Sequence, residues 1–140
     1  MSNQILSESA YAIIQLNKEI NAIELIFKRK SAINEFIETN DIVLKEFKKL
    51  NINRFLVDPS KMGVVSPEGQ RYVATKLLPE MLNHLKGGNL FHAQVLPQED
   101  VFAKFAAQNI RQKSIQEVPH LTIVQFSTIE EARRWLADVV

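Results

Sequence analysis

Cysteine is absent from this chain of 140 residues. Its absence excludes disulfides, thiolate metal centres and cysteine nucleophiles, and it fits a reducing, cytoplasmic setting. Glycine and proline are absent before Asp58, whereas all four glycines and all five prolines follow it. The first part can therefore form long, regular elements. An excess of one charge is also lacking: 17 Lys and Arg stand against 16 Asp and Glu, a formal net charge of +1. Such a balance exerts no broad pull on nucleic acid or on an anionic membrane, so neither is expected as a partner. No apolar run approaches the roughly 20 residues that cross a bilayer, so no transmembrane segment is expected. The start, MSNQILSESAYAIIQL, has no basic opening, long apolar run or small-residue cleavage site, and so is not a secretory signal. The length suits one domain, large enough to bury a core without metals or disulfides.

Within that frame, Tyr11 to Leu16 and Ala22 to Lys28 are rich in Ile, Phe and Tyr, and the polar Asn17-Lys18-Glu19 and Asn21 separate them. Two antiparallel strands are predicted, with Ile23, Leu25 and Phe27 facing the core and Glu24 and Ile26 on the opposite face. From Ala32 to Leu50 the apolar residues recur at steps of three and four, the mark of an amphipathic helix, in which Asn40-Asp41 suggests a restart. Arg54 to Val57 is a short strand. Ser66 and Pro67 then supply the favoured N-cap and first-turn pair of the next helix. Pro79 falls inside that helix, where an interior proline costs about 3 kcal/mol, so a kink or restart is expected there before Gly87-Gly88 ends it. Leu90 to Leu96 forms a strand, Pro97 a break, Gln98 to Gln112 a helix burying Val101, Phe102, Phe105, Ala106 and Ile110, and Leu121 to Phe126 the last strand. A capping box of Ser127 and Glu130 opens a final helix that buries Ile129, Ala132, Trp135 and Leu136. The order β-β-α-β-α-β-α-β-α implies an α/β fold: a four or five stranded, mainly parallel sheet with flanking helices and the first strand as an antiparallel edge.

The stretch FLVDPSKMGVVSPEGQRYVATKLLP joins a strand to a capped helix across the carboxyl end of the sheet, where open α/β folds place their ligands. Together with HAQVLPQEDVFAKFAAQNI and VQFSTIEEARRWL it resembles the STAS-like (anti-sigma-factor antagonist-like) domains, in particular their uncharacterised bacterial branch, from roughly Tyr11 onward. The resemblance implies a sheet of four or five strands flanked by helices and a regulatory or protein-interaction role; some relatives of the fold are suspected of holding small apolar ligands. Regulatory members of that family carry an Asp-Ser-Ser-Gly segment whose second serine accepts a phosphate. With its glycine laid on Gly69, Ser66 stands at the aspartate, Pro67 at the first serine and Glu68 at the phosphoacceptor. The acceptor is thus missing. Glu68 carries one unit of charge and two oxygens where a phosphate has nearly two units and three, and it serves either as a weak mimic or as a complement to the helix dipole.

The remaining candidates each have a functional and a plainer role. Asp58 binds a cation or ligand hydroxyl, or holds the turn from Pro59 to Lys61. Ser60 and Ser66 are hydroxyls in reach, and Ser66 also suits a cap. Met62, Val64 and Val65 are apolar where a loop is normally polar, so they pack under the helix, line an apolar pocket, or meet a partner together with Tyr72 and Leu78. Gly63 and Gly69 match neither a P-loop nor a dinucleotide fingerprint. His84, His92 and His120 fall in three different elements without metal-ligand spacing, and no cofactor or metal is expected. Lys28-Arg29-Lys30 is too short for a nucleic-acid patch. The pattern points to a non-catalytic regulatory or interaction module with a protein partner or itself in a homodimer; the alternative is a carrier or sensor of a small apolar ligand, with a closed pocket of about 300 Å³ or more.

Overall fold

Alternating apolar residues make the centre of the sheet. In the computed structural model, which describes residues 3–63, 65–96 and 119–139, Ala12–Asn17 (β2) and Ala22–Phe27 (β3) pair antiparallel, with Ile14 opposite Leu25. A strand that the sequence pattern did not show, Asn3–Glu8 (β1), pairs antiparallel on the outer side of β2. The described sheet therefore has six strands rather than four or five, and the edge is β1 instead of the Tyr11–Leu16 segment. β1 reads Asn-Gln-Ile-Leu-Ser-Glu and is mostly exposed, so the backbone ladder holds it and no apolar alternation announces it.

After β3 the chain turns into α1, Ile33–Lys48, and returns parallel as β4, Arg54–Asp58. α1 runs through Asn40-Asp41 without the expected restart, because the buried Asn40 amide donates to the Phe36 carbonyl at 2.9 Å and so does not compete with the helix. Pro67–Tyr72 (α2), a π turn over Val73–Leu77 and Leu78–Leu85 (α3) form the next crossover. The π turn closes with Leu78 N–H on the Val73 carbonyl, a residue ahead of Pro79, which has no N–H to give. The break expected at Pro79 is thus a widened turn before it. Lys86 ends α3 in the left-handed conformation at φ 52°, with Gly87 following at φ 92°.

Leu90–Val95 (β5) and Leu121–Phe126 (β6) complete the parallel part, and the sheet order is simply β1-β2-β3-β4-β5-β6. The break at Pro97 and the helix expected from Gln98 to Gln112 lie outside the described residues. Ile129–Asp138 (α4) follows β6; its cap is Thr128, whose hydroxyl accepts the Glu131 N–H at 3.2 Å, one residue beyond the expected Ser127 and Glu130. Ala132 and Leu136 are fully buried as expected, whereas Ile129 and Trp135 are half-buried.

Strands added in one direction by same-handed crossovers leave their helices on one face. α1, α2 and α3 accordingly cover the face of Ile23, Leu25, Phe27 and Phe55, the face expected to be core. α4 covers the other with Ala22, Leu56, Ala93 and Val95. Burial on both faces suits parallel strands. It also places Glu24, on the face taken as the outer one, wholly inside.

Candidate functional site

β3, β4 and β5 run parallel, so their carboxyl ends open at one edge of the sheet, and on the α1 side the loop after β4 folds over that edge. Phe27, Phe55, Val57, His92 and Gln94 from the strands, Phe36 and Asn40 from α1, Val73 and Leu77 from the π turn, and Pro59, Met62, Gly63 and Val65 from the loop wall a cavity of about 50 Å³. Phe27 and Phe36 stack at 5.9 Å across one wall. One water needs ~10–15 Å³, so the space holds a few waters or a short organic molecule, well under the ~300 Å³ expected of a pocket for a drug-sized ligand. No charged residue lines it.

The polar groups of the wall are ordered by one another. His92 stacks on Phe55 at 4.5 Å, and its Nδ1 lies 3.0 Å from the Phe55 carbonyl oxygen. A carbonyl only accepts, so Nδ1 carries the proton and Nε2 is left as an acceptor. The Gln94 side-chain nitrogen lies 3.3 Å from that Nε2 and must be the donor. The other atom of Gln94, Oε1, is buried and has no hydrogen-bond partner among the described residues. Burial pushes the His92 imidazole down to about 4, against a small opposing pull from the Phe55 carbonyl, so the ring is neutral at physiological pH.

Of the site residues singled out in the sequence, Met62 and Val65 reach this cavity, and the others that are described take different places. Met62 is buried and Val65 half-buried, both in the cavity wall, and Leu78 is fully buried. Of the alternatives for this loop, an exposed patch with Tyr72 and Leu78 is not what the described residues form, because Met62 and Leu78 are buried and Val65 packs beside Phe36. Val64 lies outside the described residues. Tyr72 sits away from the cavity, donating its hydroxyl to Asp41; burial and the neighbouring Asp41 carboxylate push its phenol well above the usual range. Asp58 takes the turn role: its Oδ1 accepts the Ser60 N–H at 3.1 Å and the Ser60 hydroxyl at 2.6 Å. Ser66 is the helix cap, its hydroxyl accepting Gly69 N–H at 3.1 Å, and Glu68 is exposed in the first turn. Gly69 is required here by close approach: a Cβ on it would stand 2.9 Å from Val65 Cγ1 and 3.1 Å from Phe36 Cε2.

A second polar cluster, which the sequence pattern did not point to, occupies the α4 face. Glu24 receives Gln15 at 2.7 Å and Asn17 at 3.0 Å from β2, and a bidentate pair from Arg133 of α4 at 2.9 and 2.8 Å. Burial alone would raise the Glu24 carboxyl; Arg133, Gln15 and Asn17 together hold it below the ordinary carboxylate value. Glu24 itself raises the Arg133 guanidinium. Arg54 extends the clamp, donating to the Ile20 carbonyl at 2.7 Å and the Val139 carbonyl at 2.9 Å. The cluster ties the last helix to the sheet and leaves Glu24 no free lone pair to offer a substrate.

The histidines stay apart. His84 meets the Leu50 carbonyl at 3.1 Å, and His120 meets Asn89 at 3.1 Å. Among the described residues no group of three His, Asp or Glu side chains is placed to hold a metal ion, and no helix is long and apolar enough to cross a membrane. Lys28 pairs with Glu8 at 3.0 Å, and Arg29 lies over the Tyr11 ring. No protein-family model, curated protein or solved structure matches the chain.

Proposed function

We propose that this chain is a non-catalytic, STAS-like regulatory module whose input is a small, largely apolar ligand held in the cavity at the carboxyl ends of β3, β4 and β5. The observation that carries this reading is the inward turn of the Asp58–Ser66 loop: Met62 and Val65 wall an apolar space beside Phe27, Phe36 and Phe55. Apolar side chains turned into a cavity at the carboxyl edge of a parallel sheet support a site for a ligand of a few heavy atoms, smaller than the ~300 Å³ pocket first expected, more than a docking surface. Docking through this loop loses its motive once Met62 and Leu78 are buried. The STAS-like resemblance supports a regulatory role, and Glu68 in place of the phosphoacceptor serine favours an input other than phosphorylation. A loop packed against the first turn of α2 is suited to pass the occupancy of the cavity to the molecule's surface.

Xenon-pressure NMR on the methyl-labelled protein tests the reading. Saturable shifts at Val57, Val65, Val73 and Leu77, abolished by filling the space with Val57→Phe, are the expected result. Methyl shifts that stay linear with pressure, or that persist in a folded Val57→Phe protein, would overturn it.

A further inference from the structure

A second space lies against the first. Ser31, Ile33, Phe36, Met62, Val65 and Ser66 wall a crevice of about 70 Å³ beside the starts of α1 and α2, and Phe36, Met62 and Val65 wall the cavity as well. These shared side chains stand between the two spaces. The spaces differ in their access to water: most walls of the cavity are buried, whereas Ser31, Ile33, Val65 and Ser66 of the crevice are half-exposed. The shared side chains differ in freedom. Phe36 is held in its stack on Phe27 at 5.9 Å, and Val65 is branched at Cβ and packed against Gly69. Met62 is unbranched and adaptable, while its backbone is tied down by an N–H donated to the Pro59 carbonyl at 2.9 Å. The movable part of the partition is therefore the Met62 side chain and not the loop that carries it.

We propose that cavity and crevice become one slot when Met62 changes rotamer, and that the ligand of this slot is a linear aliphatic chain with a small polar end. The chain passes Met62 into the cavity, and the polar end stays hydrated at the crevice beside Ser31 and Ser66. The inference rests on the ligand reading above and specifies the ligand's shape and class. Alone, the cavity of about 50 Å³ takes only a few heavy atoms; joined to the crevice it takes roughly twice as many. A chain is favoured over a compact ring because Phe36 and Val65 keep the passage narrow. A charge carried along the chain is disfavoured because no charged residue lines either space. Met62 is thereby the residue that sets the length of ligand accepted.

The test titrates propan-1-ol, hexan-1-ol and cyclohexanol into the protein by NMR, with xenon as the probe of the cavity alone. Affinity is expected to rise about fourfold for each CH₂ added between the two linear alcohols, the usual consequence of burying that group. Cyclohexanol, with the same number of carbons as hexan-1-ol in a compact ring, is expected to bind about tenfold or more weakly, because it overfills the passage. Hexan-1-ol should move the Met62 methyl carbon, whose shift reports the side-chain rotamer, by more than propan-1-ol does. Ile33→Phe fills the crevice and is expected to remove the gain from the longer chain. Hexan-1-ol no tighter than propan-1-ol, cyclohexanol as tight as hexan-1-ol, a still Met62 methyl, or a gain that survives in a folded Ile33→Phe protein would each overturn this inference alone, while xenon still saturates the methyl shifts. Loss of xenon saturation as well would overturn the ligand reading beneath it. Should Ile33→Phe not fold, the Met62 methyl carbon in the natural protein decides.

Discussion

Replacing Arg133 with methionine leaves the Glu24 carboxylate inside the protein without its cation. Glu24 is 0% exposed and accepts two bonds from the guanidinium, with Gln15 and Asn17 supplying the others. Breaking a buried pair by removing one partner costs about 3–5 kcal/mol, since the remaining charge keeps its desolvation penalty. Two features place this case near the lower bound: the Arg133 side chain is 31% exposed and so partly screened, and the two amides still satisfy part of the carboxylate. A loss of about 3 kcal/mol is therefore expected, read as a shift of the urea midpoint with the slope unchanged. The sign of the pH dependence gives a second check. In the natural protein Glu24 titrates below its unfolded value, so its contribution is present above the ordinary carboxylate range and is lost as pH falls through the lowered value. In Arg133→Met burial dominates, the folded value rises above the unfolded one, and the variant gains stability as pH falls. The deficit should shrink between pH 7 and pH 4, and adding Glu24→Gln should recover at least half of it at pH 7. A loss under about 1 kcal/mol, the scale of an exposed pair, would refute the argument that this is a buried charge.

Gly69→Ala tests the close approach of α2 to the cavity wall. Helix propensity favours alanine by about 1 kcal/mol, but the new Cβ would meet Val65, which is stiff at χ1, and Phe36, which is held in its stack on Phe27. Overpacking costs about 1–3 kcal/mol, so a net loss near 1 kcal/mol is expected in chemical denaturation, and a gain would show that the wall yields freely. His92 predicts an acid limb: its folded value of about 4 lies below the unfolded 6.5, so the unfolded chain binds the extra proton between them. Stability is then complete above about pH 6.5 and falls toward pH 4 by about 3 kcal/mol. His92→Phe should remove that slope from the pH profile of the denaturation midpoint, and an unchanged slope would assign it elsewhere.

Much of the architecture was legible because it follows local rules. The alternation in Ile23, Leu25 and Phe27, the three-and-four spacing of α1, and the Ser66-Pro67 start of α2 each report an element through its own residues. What escaped depends on neighbours distant in sequence. β1 exists because β2 offers it a ladder, and nothing in Asn3–Glu8 marks it. Glu24 looked like the polar side of a half-exposed strand, since its burial is decided by a helix 109 residues away. The loop after β4, singled out in the sequence, contributes Met62 and Val65 to the wall of a cavity. Gln94 was missed: a glutamine within an apolar strand carried the signal, but its meaning depends on the His92 tautomer, which only the Phe55 carbonyl sets.

The sheet's order has a bearing on synthesis. Because strand neighbours in space are also successive along the chain, each strand leaving the ribosome finds its partner already waiting, and the sheet can grow from its first hairpin without reserving a gap for a later strand. Two polar contacts escape that rule, the Arg133–Glu24 pair and the Arg54 bond to the Val139 carbonyl, and neither closes until α4 has emerged. Until then Glu24 has only the Gln15 and Asn17 amides of β2 as partners. The ion pair is thus a contact made late in synthesis, joining α4 to a strand that has long since left the ribosome.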